Sequence, residues 1–166
     1  MNDPIEMVVG LVALNDGEVV GKVRLQKTFY LLDACGLESG FDYDFHFYGP
    51  FSVDLSRAAD DATALDRLDF EDKFGYHEVP YRVFRASHIA PLPDRLGRLS
   101  AAQVRKNLKL MARYSAAELE VAASIVFLRD NGYRDDPVVE TRRRKPATAT
   151  ANRIAKAQRL IAELGL

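Results

Sequence analysis

Tryptophan is absent from the 166 residues, cysteine occurs once and histidine three times, and no run of about eighteen apolar residues appears. Each scarcity removes a class of chemistry. A lone Cys35 closes no internal disulfide, and its setting in FYLLDACGL fits a small buried hydrophobe. His46, His77 and His88 stand far apart, with no second ligand three or four residues on, so no metal centre is expected. The start, MNDPIE, carries acids where a secretory leader has a basic and then an apolar stretch, and with no membrane span expected a cytoplasmic location follows as an expectation. The phosphate loop G-x-x-x-x-G-K-[ST], the dinucleotide loop G-x-G-x-x-G and the nucleophile elbow G-x-S-x-G are all missing. The acids at Asp60 and Asp61, or at Asp69, Glu71 and Asp72, read as a solvated face rather than as paired catalytic carboxylates. The chain is therefore read as a non-enzyme without a cofactor.

What is present is apolar material for one core. With 48% hydrophobic and 28% charged residues, the chain reads as a single domain over residues 1–166. The net charge of −1 conceals an asymmetry: residues 1–100 hold 17 acids and 10 bases, residues 101–166 hold 7 acids and 13 bases. We expect the two parts to fold against each other and cancel; the alternative is a basic face for nucleic acid or an acidic partner.

Periodicity predicts a mainly α fold with a small β component, an α+β domain with one short strand and a hairpin, winged-helix-like in one reading. Asp3 and Pro4 start a helix that runs to about Leu14. A second helix, KVRLQKTFYLLDACG, sets Leu25, Thr28, Phe29, Leu32 and Cys35 against Lys22, Gln26, Tyr30 and Asp33, and stops at Gly36. Phe41, Tyr43, Phe45 and Phe47 alternate with polar residues as a strand closed by Gly49 and Pro50. Ser52 caps a third helix to about Leu68, and the segment to residue 87 reads as a hairpin that Pro80 pushes towards a sheet edge. Two capping boxes, Ser100 to Gln103 and Ser115 to Glu118, announce helices over about 101–113 and 116–130. Pro146 then separates a basic run from a last amphipathic helix within 147–166.

The candidate contact residues fall in three places. Lys22, Arg24 and Lys27 lie in the first half of a helix, where the dipole disfavours cations. Arg24 borders the apolar face, so it either pairs with an acid such as Asp42 or Asp44 or contacts phosphate or an acidic partner. Tyr48, Gly49, Pro50 and Phe51 form an aromatic elbow, read either as a packing corner or as a recognition surface. The run Arg142, Arg143, Arg144 and Lys145 offers further anion or nucleic-acid contacts.

RLQKTFYLL, FHFYGPFSVDL, SAAELEVAASIVFL and RKPATATANRIAKAQRLIAELGL together resemble the YwgA-like and Panacea (SocA-like antitoxin) group of bacterial and phage-associated proteins. The motifs carrying this are Leu25, Gln26 and Lys27, then Tyr48, Gly49 and Pro50. The chain departs from the Panacea pattern in lacking its tryptophan-rich stretch, which sets it nearer the YwgA-like branch. The resemblance implies a non-catalytic module that neutralises or presents a partner protein, a cognate toxin in the antitoxin branch, through Arg24, Lys27 and residues 48–51. The alternative is a winged-helix-like DNA-binding regulator, with Lys22, Arg24 and Lys27 on phosphates. A homodimer is a further expectation.

Overall fold

The first helix is apolar on every side, and an apolar surface all round has to be enclosed. The computed structural model, which describes residues 3–87, 92–133 and 136–166, buries α1 (Pro4–Leu14) from Met7 to Leu14. Its start is as the sequence implies, with the Asp3 carboxylate accepting from the Ile5 and Glu6 amides. His88 lies outside the described residues.

The remaining elements follow in the order β1 (Glu18–Val20), α2 (Lys22–Ala34), β2 (Asp44–His46), β3 (Gly49–Phe51), α3 (Val53–Ala64), β4 (Leu68–Phe74), β5 (Pro80–Ala86), β6 (Arg95–Leu96), β7 (Leu99–Ser100), α4 (Ala101–Met111), α5 (Ala116–Asp130), α6 (Pro137–Arg144) and α7 (Ala151–Leu164). The α+β reading holds, with helices dominant and the strands confined to small antiparallel sheets. One core joins α1, α2, α3, α4, α5 and α7 with Val19 and Phe84 of the main sheet. α7 packs on its own chain through Ile154, Ala157, Leu160 and Ile161. No helix among the described residues is long and apolar enough to cross a membrane.

Both capping boxes form, the Ser100 and Ser115 side chains meeting the amides of Gln103 and Glu118 while those side chains reach back. Other expectations need correction. α2 is buried all round its middle, Gln26 and Tyr30 included, because a sheet lies beside it and α5 beneath it. α3 ends at Ala64, and Leu68 opens a strand instead. Pro80 sits at the first residue of β5, where a missing amide does least harm, and β5 is the central strand of the order β1-β5-β4. β1, the β6–β7 hairpin and α6 were too short to show a period in sequence.

The two charge-rich parts do not neutralise each other through ion pairs. Among the described residues, Arg57, Arg67, Lys73, Arg82, Arg85 and Arg98 pair with acids of residues 1–100. Arg113, Arg129, Arg143, Arg144, Lys145 and Lys156 pair with acids of residues 101–166.

Candidate functional site

Phe41, Tyr43 and Phe45 do turn inward while Asp42, Asp44 and His46 face solvent. The alternation anchors the segment, since Phe41 meets Phe29 and Tyr43 meets Tyr30 edge to face at 5.4 and 5.0 Å. It breaks at Phe47 because the chain reverses there. β2 and β3 form a hairpin, pairing Asp44 with Phe51, Phe45 with Pro50 and His46 with Gly49. Gly49 takes φ +82, the left-handed step that lets a short turn close a twisted hairpin. Its lack of a side chain matters as well, for a Cβ there would stand 2.6 Å from the Ser124 hydroxyl on α5.

Two separate segments, α2 and the residues just after α6, hold this hairpin from below. Gln26 on α2 donates to the Ser52 carbonyl at 2.8 Å and accepts from the Ser52 amide at 2.9 Å, so its carboxamide replaces a neighbouring strand. Its second donor reaches the Ser56 hydroxyl at 3.0 Å. Lys27, only 1% exposed, donates to the Pro50 carbonyl at 2.6 Å. Lys145, just beyond α6, donates to the Phe47 carbonyl at 2.5 Å and to the Glu120 carboxylate at 2.7 Å. The motifs at residues 25–27, 48–50 and 145–146 are thus one structure in space.

The buried Glu120 carboxylate pairs with Lys145, and its charge also reaches the Lys27 ammonium. Burial pushes the Lys27 ammonium down to about 8, the Glu120 charge working against that shift and the Lys145 charge adding to it. Both cations serve the hairpin backbone. Arg144 completes the support, its guanidinium 5.0 Å from the Phe45 ring centroid and 4.8 Å from that of Tyr133, with Glu140 bound at 2.6 Å.

The surface this base presents is aromatic. Phe47 is 86% exposed and Tyr48 54%, with their rings edge to face at 5.1 Å. Of the residues singled out from sequence, Tyr48 is on the surface, Phe51 is half-buried against the His46 ring, and Gly49, Pro50 and Lys27 are buried. Gly49, Pro50 and Lys27 therefore belong to the support of the hairpin and not to its exposed surface. Arg143 and Arg144 both bind Glu140, and Lys145 is buried, so only Arg142 of that run is exposed without an ion pair among the described residues. Phe47, Gln26, Glu120 and Ser124 were missed. The signal for Glu120 was its place in the apolar run of α5, where an ionised group requires a partner.

Arg24 pairs with neither Asp42 nor Asp44. Its guanidinium donates to the Tyr114 carbonyl at 2.6 Å and weakly to the Met111 carbonyl at 3.5 Å, so it closes the C-terminal end of α4, where a cation meets the negative end of the helix dipole. It does so inside an open cleft of about 860 Å³ between the β1 turn, α2 and the α4–α5 corner, whose lining includes neither His46 nor Tyr48. Lys22 is exposed at the other end of the same helix turn. With Lys27 enclosed and Arg24 committed to α4, the three cations do not form a row for phosphates.

No protein-family model matches the chain, and no solved structure matches it. The chain is similar to the uncharacterized protein YwgA of Bacillus subtilis strain 168, with 35% identity over 69 residues. That match takes in 40% of this chain and 42% of the relative's length. The similarity supports a YwgA-like relation and carries no antitoxin assignment with it.

Proposed function

We propose that the protein is a non-catalytic, antitoxin-like contact module that grips a partner protein with the tip of the β2–β3 hairpin. The observation behind this reading is the pairing of two exposed aromatic side chains, Phe47 and Tyr48, with a base of buried polar groups that fixes the backbone beneath them. Large rings held on a rigid turn lose little freedom on binding, which is what anchor residues of interfaces require. A packing corner would bury those rings instead. Neutralising or presenting the partner then follows from direct contact, without chemistry at the hairpin.

The test is co-expression with the protein encoded beside this gene, followed by titration of the two purified chains. Phe47→Ala with Tyr48→Ala is expected to weaken the complex at least a hundredfold, on the order of 3 kcal/mol, while leaving the thermal midpoint unchanged. Unchanged affinity in that variant removes the hairpin as the contact. Sedimentation of the protein alone separates this partner from a second copy of the chain.

A further inference from the structure

The exposed face of α4 carries cations and no acid. Arg105 and Lys109 stand four residues, about 6 Å, apart along the helix axis, Lys106 lies beside them, and Arg113 follows just beyond the helix end. The segment 101–117 contains no acid at all. Among the described residues, Arg105, Lys106 and Lys109 make no ion pair, and Arg113 reaches Glu163 only at 3.4 Å. The Arg105–Lys109 pair of like charges at i, i+4 opposes the helix that carries it, although Lys109 in the last turn is favoured by the helix dipole. No acid of residues 1–100 forms an ion pair with this face among the described residues.

The same face forms a shallow groove of about 470 Å³ lined by Arg105, Lys106, Lys109 and Arg113 with Ala102 and Leu110, and by no aromatic side chain. That composition discriminates between anionic partners. A protein interface has an apolar or aromatic centre from which charged residues are depleted. A phosphate backbone needs a track of cations and no apolar anchor. We infer that the α4 face binds the sugar-phosphate backbone of a nucleic acid, without reading its sequence. The residues involved are not the ones that the aromatic hairpin uses, so this surface and the hairpin are free to act separately.

Fluorescence anisotropy with a labelled 20-base-pair DNA duplex and a single-stranded RNA of equal length, titrated with salt, tests this. Binding is expected at low ionic strength, with the logarithm of the affinity falling linearly against the logarithm of salt. Arg105→Ala, Lys106→Ala and Lys109→Ala combined should lower that slope by about three and weaken low-salt binding at least tenfold, with the melting temperature retained. Arg57→Ala with Arg98→Ala, which removes cations elsewhere, should leave both quantities as they are, and so should Phe47→Ala with Tyr48→Ala. The relative affinities for DNA and RNA assign the backbone. Absence of salt-dependent binding, an unaltered slope in the triple variant, or tighter binding of polyglutamate than of either nucleic acid overturns the inference, the last in favour of an acidic protein.

Discussion

Lys145→Met keeps the length of the buried side chain and removes only its charge and donors. What is lost is the 2.7 Å pair with Glu120 and the 2.5 Å hydrogen bond to the Phe47 carbonyl, at a position 5% exposed. Breaking one side of a buried pair costs about 3–5 kcal/mol, mainly through the charge left behind. Lys27 already senses the Glu120 charge and offsets part of this, so a loss of about 3 kcal/mol is expected. Against a total of roughly 5–15 kcal/mol that is a severe change, and for a chain of this size it lowers the thermal midpoint by roughly 6–12 °C. Urea titration measures the loss, and hydrogen exchange at residues 47–51 locates it in the hairpin. Glu120→Gln combined with Lys145→Met removes both charges, so the double variant should be at least about 1 kcal/mol more stable than the sum of the single losses implies. A loss below about 1 kcal/mol for Lys145→Met, or strict additivity in the cycle, refutes the account of the hairpin's support.

Three further outcomes test neighbouring parts. The Lys27 ammonium is held at about 8 in the folded chain against 10.5 in the unfolded one, so between those values the unfolded chain binds more protons and the Lys27 contribution improves as pH rises. Because burial raises the Cys35 thiol to about 11, which acts in the opposite direction above pH 9, the readout is the difference between wild type and Lys27→Met; wild type should gain on the variant from pH 8 to 10, and a constant gap contradicts the burial of a charged Lys27. Gly49→Ala meets both a left-handed backbone and Ser124 and should cost about 2 kcal/mol, whereas Gly17→Ala, at the same φ of +82 with open space around it, should cost about 1; equal values by urea titration would show that the hairpin does not press on α5. Arg24→Ala should cost about 1–2 kcal/mol and speed hydrogen exchange in the last turn of α4, and unchanged exchange there would dissociate Arg24 from that helix end.

The sequence alone determined what local rules govern. The Asp3 cap, both capping boxes, the stop of α2 before Gly36 and the inward set Phe41, Tyr43 and Phe45 each depend on neighbours within a few residues, and a chain displays those directly. Only the tertiary structure decided which polar residues are spent inside. Gln26, Lys27 and Lys145 have the sequence appearance of surface residues, and their partners are Ser52, Pro50, Phe47 and Glu120, between 23 and 98 positions away. Whether a lysine faces solvent or a carbonyl depends on that distant company, because burial of a charge is tolerated only where an acceptor has been brought to it. The same reason took Lys27 and Arg24 off the candidate surface, kept Tyr48 and added Phe47, and left exposed cations on α4 without an ion pair among the described residues.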